Sequence, residues 1–496
     1  MLYIEFRWVG SRLRNLRHIF VFRWCSRVVL IWARRSSNIG KSVLLSFMRP
    51  NVETRGATLT NSYFRHLASI VTIFSHIPFV FSFDDYQLND WTLRPAAELR
   101  FGLQYGEGIN FGYGAIDNKH EKNRSSASIS LEPELPFTKS LFSGEMYGKL
   151  SFVGATNFLD GEISGQFATS GDSRVDIDEA HVGWRNSRFD ISVGAQVLVF
   201  GDGLVIGDGN FDIGSEQGQF WLGAFDAWKN SAVVSVHTDD IDIDVFWLRS
   251  DGGFGDSRLF GINLDNKESM FGRYGAMYLN IYQGDTASYD GIQAVNLRAL
   301  DVPLPGLEAV KFYGEVVLQL GRDKDNRNIK NKALGWYLEA DYSANWLKWP
   351  TVFAYRYSRF SGDKIDTFRN ESYRSLFYGF YAREWDTFYQ GEIAGEYHLF
   401  NSNQETQFFK VRAFPTQQFA ITFYYFEHDL DEPHYFGTRT STVDWADEIN
   451  IGVEYFAGDK VYIYTGFAWS TPNQAAREVF QGDNFSVLQT WMSFKF

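Results

Sequence analysis

Apolar and polar residues alternate with a period of two in successive segments of roughly ten residues, beginning near residue 91. In residues 97–105, which read AELRFGLQY, every apolar side chain falls on one face, while Glu98, Arg100 and Gln104 fall on the other. This alternation is typical of a β-strand with one apolar and one polar face. The same pattern recurs in residues 241–247, 310–320, 336–341 and 449–456.

Clusters of Gly, Asp and Asn separate these segments up to the end of the chain, and such clusters form turns. The sequence has neither a long amphipathic helix nor the repeat of about 40–50 residues that a β-propeller requires. A sheet in lipid must close on itself so that every backbone polar group is paired. We therefore predict an all-β fold, a transmembrane antiparallel β-barrel over residues 83–496. At roughly 22–26 residues per strand and turn, it would have about 16–18 strands.

Composition supports a barrel that lies in a membrane. Aromatic residues make up 18% of the chain, although the hydrophobic content is only 45%. Trp and Tyr are favoured at the two headgroup levels of a lipid-facing barrel, and only every second residue of each strand needs to be apolar. The predicted location is the bacterial outer membrane, with its lipid as a partner.

The last segment, FSVLQTWMSFKF at 485–496, alternates Leu488 and Met492 with Gln489 and Ser493 and ends on an aromatic residue, Phe496. A terminal Phe after such a strand resembles the signal that the barrel-assembly machinery reads in bacterial outer-membrane proteins. We therefore expect this machinery to be a partner, and Phe496→Ala to lower the amount of folded barrel in the membrane.

The first 82 residues differ from the rest in charge. They hold 12 Lys or Arg and two acidic residues, a net charge of +10, whereas residues 83–496 carry −23. An apolar stretch at 67–82 ends in Val80-Phe81-Ser82, which is typical of a signal peptide cleaved after Ser82. We predict a translation start near Met48 and a mature chain beginning near Phe83. An unusually long leader or a basic cytoplasmic tail is the alternative.

The acidic mature region argues against nucleic acid as a partner, because its charge would repel phosphates. Cleavage of the leader would remove Cys25, the only cysteine, so no thiolate is expected for catalysis or metal binding. We expect no metal, no cofactor and no enzymatic activity, although a Ser-His-Asp site stays open as an alternative. The histidines have no metal-ligand spacing and are read as polar groups of the lumen or loops: His181, His237, His398, His428 and His434.

Residues 179–227 contain an acidic strand that ends in Trp184-Arg185, then a Gly-x-Gln at 194–196 and a Gly-Asp-Gly turn at 201–203. With residues 376–403, this part of the chain resembles the alginate-export family of outer-membrane porins. Ala195 departs from the arginine expected there. The resemblance implies a large barrel that passes solutes, with oligosaccharides or a polysaccharide as candidate cargo. Within it, the glycine-rich residues 201–209 could bind calcium, but the sequence favours a turn or a constriction loop. The matching residues are Glu179, Trp184, Arg185, Gly194, Gln196, Gly201, Asp202, Gly203, Asp226 and Ala227.

Charged residues on the inward strand faces are the candidate solute-binding groups, because rings of charge in a pore select solutes by sign. The lumen would be mixed and tend to be acidic, which counts against a polyanion such as alginate. The solute-binding candidates are Glu98, Arg100, Arg298, Lys311, Glu315, Glu339, Arg356, Lys410 and Arg412. Further acidic candidates on inward faces are Asp242, Asp244, Asp341, Glu392, Glu396 and Glu454.

The expected function is a porin-like channel for hydrophilic solutes, oligosaccharides or polysaccharide. An outer-membrane enzyme or a non-conducting structural barrel is the alternative. Arg298, Arg356 and Arg412 each stand between apolar neighbours, so they must point inward if those neighbours face lipid. We expect these arginines to place positive charge on the water-filled side, and their replacement by Glu to shift ion selectivity towards cations. In the alternative interpretation, opposite charges pair with one another and stabilise the wall.

Overall fold

The computed structural model describes residues 83–165, 171–210, 222–267, 269–285, 289–322, 329–379 and 390–496, and the backbone of two strands near the N-terminus. The chain divides into two compact units, Met1–Phe79 and Val80–Phe496. In the first unit, Ile19–Trp24 and Arg27–Trp32 form a two-stranded antiparallel sheet. The predicted start at Met48 and the predicted cleavage after Ser82 lie outside the described residues.

Eighteen long strands in the described part of the second unit form a closed barrel, as the alternation predicts. The first nine are β1 (Ala96–Glu107), β2 (Asn123–Leu141), β3 (Gly144–Leu159), β4 (Ser173–Arg185), β5 (Phe189–Gln196), β6 (Trp228–His237), β7 (Ile241–Arg249), β8 (Arg258–Asn266) and β9 (Arg273–Gln283). The others are β10 (Ile292–Leu304), β11 (Leu307–Arg322), β12 (Lys330–Ala344), β13 (Thr351–Phe360), β14 (Gln404–Thr416), β15 (Phe419–Asp429), β16 (Asp444–Ala457), β17 (Val461–Pro472) and β18 (Phe485–Lys495).

Each long strand pairs antiparallel with the next along the chain, and the last pairs with the first. In this closing pair, Ser486 of β18 lies opposite Glu107 of β1, and Lys495 lies opposite Glu98. The backbone N–H of Phe496 extends the seam by donating to the carbonyl of Ala97 at 2.9 Å. Closure leaves none of these strands with an unpaired edge, which is what a sheet in hydrocarbon requires.

The connections are short at one end of the barrel and long at the other. Residues 142–143, 305–306 and 417–418 are two-residue turns at the short end. The two longest connections at the other end are residues 197–227, called here the first inward loop, and residues 361–403, the second inward loop. Outer-membrane barrels have short periplasmic turns and long extracellular loops. The long-loop end is therefore assigned to the cell exterior.

The two faces of each strand differ in exposure as the sequence predicts. On β12, Leu338 is 56% exposed while the adjacent Glu339 is 2% exposed. On β16, Ile451 is 48% exposed while Asn450 is 1% exposed. Apolar side chains thus cover the outward face, as lipid requires. The inward face is polar on these two strands and partly apolar on β6–β10, where it packs against the first inward loop.

The described residues contain two short helices, and both lie in long loops. A π-helix covers Gly391–Leu399 in the second inward loop, and an α-helix, α1, covers Gln474–Val479. Short strands pair Tyr86–Leu88 with Trp91–Leu93 and His434–Tyr435 with Thr438–Arg439, and Arg369–Asn370 pairs with β12. In the described part of the chain no helix is long and apolar enough to cross a membrane.

Candidate functional site in the barrel lumen

The glycine-rich turn of the first inward loop contacts the barrel wall. Asp202 is fully buried, and its Oδ2 accepts a hydrogen bond of 2.8 Å from the hydroxyl of Tyr337 on β12. The backbone N–H of Asp202 donates to Oε1 of Glu315 on β11 at 3.0 Å. Gly201 has a φ of +62°, and a Cβ there would lie 2.6 Å from Cδ of Arg298. These residues lie in turns outside the strands, as their turn chemistry indicated.

The second inward loop meets the first through backbone hydrogen bonds. The carbonyl of Phe377 accepts from the N–H groups of Gly207 at 2.6 Å and Asp208 at 3.0 Å. The N–H of Gly379 donates to the carbonyl of Gly203 at 3.0 Å. A Cβ on Gly207 would lie 2.5 Å from the backbone nitrogen of Gly379, so the approach requires glycine.

Aromatic packing reinforces this contact between the loops. The ring of Phe377 is fully buried, and its centroid lies 4.9 Å from that of Trp228 and 5.2 Å from that of Phe254. The ring of Tyr289 stacks on Phe377 at 5.8 Å. Because these partners come from β6 and from two other long loops, the Phe377 side chain packs the second inward loop against the rim of the barrel, while its backbone bonds the first inward loop.

The π-helix of the second inward loop is fixed to the opposite part of the wall. Glu448 of β16 accepts hydrogen bonds from the backbone N–H groups of Ile393 at 3.1 Å and Ala394 at 2.8 Å. The hydroxyl of Tyr464 donates to Glu392 at 3.0 Å, and the amide of Gln104 donates to the hydroxyl of Tyr397 at 3.1 Å. Three separate wall strands therefore hold this π-helix.

The inward-strand placement expected for Glu392 and Glu396 is wrong, because both lie on this π-helix. A spacing of four residues puts two side chains on one face of a strand and also of a helical turn, so the spacing could not distinguish them. Burial, together with the negative charge of Glu392, Glu162 and Glu448, raises the pKa of Glu396 well above its usual range.

His398, on the same helix, is buried, and its Nε2 lies 3.1 Å from Oδ1 of Asn110. The amide nitrogen of Asn110 donates to two backbone carbonyls, so its Oδ1 is the acceptor and the imidazole Nε2–H is the donor. Burial, and to a lesser degree the neighbouring His428, lowers the pKa of His398 to about 3. The imidazole is therefore neutral at physiological pH.

The arginines expected to face the lumen lie on the inner wall, and each is ion-paired. Arg356 lies 3.1 Å from Glu339, directly opposite it on β12, and its guanidinium lies over the ring of Phe408. Arg412 lies 2.9 Å from Glu454, and Arg298 lies 2.7 Å from Asp265.

The side chains of Arg298 and Arg356 are each only 1% exposed, and that of Arg412 is 8% exposed. At these positions opposite charges pair with one another, which is the alternative that the sequence left open. Because each guanidinium has a carboxylate partner, buried in Glu339 and Glu454 and one-third exposed in Asp265, replacement by Glu would place two carboxylates together. The effect of the three arginines on ion selectivity stays a prediction.

The other candidates fall into distinct places on the wall. Arg298 lies opposite Glu315, and both contact Asn296, so they line the part that receives the first inward loop. Lys410 is buried two residues before Arg412 on β14. Lys311 lies near the short-turn end, where it forms an ion pair of 3.2 Å with Asp301 and stays about half exposed.

A second charged cluster lies on the wall formed by β1–β4. Arg100 bridges Glu98 at 3.0 Å and Glu132 at 3.2 Å, and also donates to the carbonyl of Gly223 in the first inward loop. Sequence reasoning identified Glu98 and Arg100 but missed Glu132, which lies across the strand pair. Lys149, also missed, binds Glu179 at 2.6 Å, and the only signal for this pair was Glu179 in the family resemblance.

The barrel is similar to solved structures at low sequence identity. A BenF-like porin from Pseudomonas fluorescens Pf-5 is 11% identical with a TM-score of 0.54, over 82% of this chain and 98% of that one. OpdL from Pseudomonas aeruginosa is 10% identical with a TM-score of 0.54, over 82% and 99%. OpdK of the same species, solved with vanillate, is 10% identical with a TM-score of 0.51, over 81% and 98%.

The chain matches no protein-family profile and no curated protein. The resemblance to the alginate-export family thus stays a hypothesis based on residues 179–227. The agreement in strand number, closure and coverage concerns the architecture and not the solute. The chain has the closed 18-stranded barrel fold of outer-membrane porins such as the BenF-like protein.

Proposed function

We propose that the chain is an outer-membrane channel for small hydrophilic solutes, in which the two inward loops form the constriction. The observation that carries the proposal is the contact between these loops inside a closed barrel with a polar inner wall. The buried inner face carries carboxylates, guanidiniums and amides on many strands, which favour hydrated solutes over lipids. Its apolar part packs against the first inward loop.

The size of the solute follows from the loops. Backbone hydrogen bonds between Gly203 and Gly379 and between Gly207 and Phe377 join segments that start from different sides of the barrel. A joined pair of loops narrows the path, which favours small solutes over a polysaccharide chain. Export of alginate, implied by the family resemblance, is therefore the weaker proposal.

Conductance in planar lipid bilayers tests the channel. Wild-type protein should conduct in steps, and Phe377→Ala should raise the conductance because the ring that packs the second inward loop against β6 and two neighbouring loops is removed. Phe260→Ala is the matched control, since that ring lies on the outer face of β8 and is 46% exposed. Absence of conductance from both the wild type and Phe377→Ala would support the non-conducting alternative.

We also propose that the barrel-assembly machinery acts on the C-terminal strand. Phe496 ends the strand that closes the barrel on β1, and its backbone already bonds Ala97. Phe496→Ala keeps these backbone bonds, so it should reduce the amount of assembled, heat-modifiable protein without changing the melting temperature of the barrel that does form. Equal amounts in the membrane would contradict a role for the aromatic terminus.

A further inference from the structure

A groove opens on the outside of the barrel where the closing strands reach the long-loop end. Its volume is about 510 Å³, within the range of roughly 300–1,000 Å³ that is usual for small-molecule sites. It lies on the outer face, so the channel does not use it. The lining residues are Glu107, Gly108, Lys122, Asn123, Phe467, Trp469, Asp483, Asn484 and Ser486.

The floor of the groove is set by strand register. Trp469 of β17 lies opposite Ser486 of β18, Ser486 lies opposite Glu107 of β1, and Glu107 lies opposite Asn123 of β2. Because Ser486 is small, the outer surface is lowered between the indole on one side and the carboxylate on the other. Trp469 is 50% exposed, so its ring is available to a ligand.

The polar groups around the indole suit a sugar ring. Lys122 reaches Gln481 at 3.1 Å and Asp483 at 3.4 Å on the loop side. No hydrogen bond or ion pair joins the Glu107 side chain to any residue that the structure describes. An exposed indole can stack on the apolar C–H face of a sugar, while carboxylates and amides accept from its hydroxyls and lysine donates to them. Two carboxylates would repel a bare phosphate.

The groove is continuous with the lipid-facing surface. Phe467 lies two residues deeper on β17 and is 41% exposed, and Tyr105 lies two residues deeper on β1 and is 42% exposed. The long-loop end faces the cell exterior in barrels of this class, so the groove lies at the level of the outer-leaflet headgroups. We propose that it binds the saccharide headgroup of an outer-leaflet glycolipid, whose acyl chains lie along Phe467 and Tyr105.

Native mass spectrometry of the full-length mature protein in detergent tests this site. The probe is a glycolipid with an uncharged disaccharide headgroup, and phosphatidylglycerol serves as a sugar-free competitor. Wild-type protein should retain the glycolipid. Trp469→Ala, which removes the stacking surface, and Ser486→Trp, which fills the groove, should each weaken binding by about tenfold or more. Trp247→Ala should bind as the wild type, because this outward-facing tryptophan lies on β7, outside the groove.

Three results would overturn the proposal. The first is equal glycolipid binding by all variants, and the second is displacement by phosphatidylglycerol at the same concentration as by unlabelled glycolipid. The third is a change in oligomeric state of Trp469→Ala without a change in glycolipid binding, which would assign the groove to a second copy of the chain. If Ser486→Trp does not fold, Trp469→Ala and the competition decide alone. The assay does not depend on conductance, so its outcome is separate from that of the channel.

Discussion

Both inward loops are held by hydrogen bonds to a glutamate of the wall, but the number of these bonds differs between the loops. In each, a glutamate of the wall accepts from backbone N–H groups of the loop: Glu315 from Asp202, and Glu448 from Ile393 and Ala394. Glu448 receives two such bonds. Glu315 receives one, and the loop brings a second carboxylate, that of Asp202, close to it.

The difference indicates how a barrel can hold loops of unequal mobility. The π-helix also brings carboxylates, those of Glu392 and Glu396, near its wall glutamate, but two backbone N–H bonds hold it there. In the first inward loop, the carboxylates of Asp202 and Glu315 lie close together, and the hydroxyl of Tyr337 offsets their repulsion by donating to Asp202. We therefore expect the first inward loop to move more readily than the second, with Phe377 limiting how independently they do so.

The largest effect is expected from Phe377→Ala, because it removes the ring that packs the second inward loop against β6 and two neighbouring loops. Truncation of a buried Phe costs about 3–5 kcal/mol. Single-channel recordings should show larger steps and more frequent transitions than those of the wild type. Steps no larger than those of the Phe260→Ala control would show that the backbone bonds alone hold the loops together.

The second largest effect is expected from Glu448→Ala, which leaves two buried N–H groups without their acceptor, at about 1–3 kcal/mol each. Hydrogen exchange should become faster at the amides of Ile393 and Ala394 but not at that of Asp202. Glu448→Gln keeps one acceptor oxygen and should give an intermediate rate. Faster exchange in both loops together would indicate that they open as one unit and would remove the distinction between them.

Acid should release the second inward loop through His398. Its pKa is about 3 in the folded loop and about 6.5 when exposed, so the neutral form is stabilised by folding. The folded loop therefore has its full stability above pH 6.5. Below that pH, the free energy of unfolding of the loop falls by about 1.4 kcal/mol per pH unit as the pH drops towards 3. Conductance should therefore change between pH 6.5 and 4.5, and His398→Gln should respond less. An identical pH profile for the variant would assign the effect to other groups.

The smallest effect is expected from Tyr337→Phe, which removes one hydrogen bond to Asp202 and costs about 1 kcal/mol. Exchange should quicken at Asp202 and stay unchanged at Ile393. Tyr357→Phe is the matched control, because the Tyr357 hydroxyl donates to Glu405 and forms no hydrogen bond with the described residues of either loop. Equal exchange at Asp202 in both variants would mean that Glu315 alone holds this loop.

The strands were predictable because one face of each strand meets lipid and the other meets a polar lumen. Apolar and polar side chains therefore alternate along the strand with a period of two. The inward position of Arg298, Arg356 and Arg412 followed from their apolar neighbours alone. Their partners did not follow. Glu339 lies directly opposite Arg356, whereas Asp265 and Glu454 lie two strands away from their arginines, and all three positions are set by strand register, which depends on the length of each turn.

The inward loops were predictable only in part. The glycine-rich residues 201–209 indicated a loop through their turn chemistry, but nothing in them indicated contact with Phe377. The π-helix was missed because the four-residue spacing of Glu392 and Glu396 fits a strand as well as a helical turn. The wall residues that hold it, Glu448 and Tyr464, resemble any other inward polar residue of a strand. Their function arises only when a distant loop returns to them.

The even number of strands constrains how such a barrel can change over evolutionary time. Each strand reverses the direction of the chain, so loss or gain of one strand would move every later loop to the opposite side of the membrane. The loops that contact Glu315 and Glu448 would then lie in the wrong compartment. Loss or gain of a whole hairpin keeps all later segments on their own side and changes only the diameter. Hairpins, rather than single strands, are therefore the units by which relatives of this chain can widen or narrow.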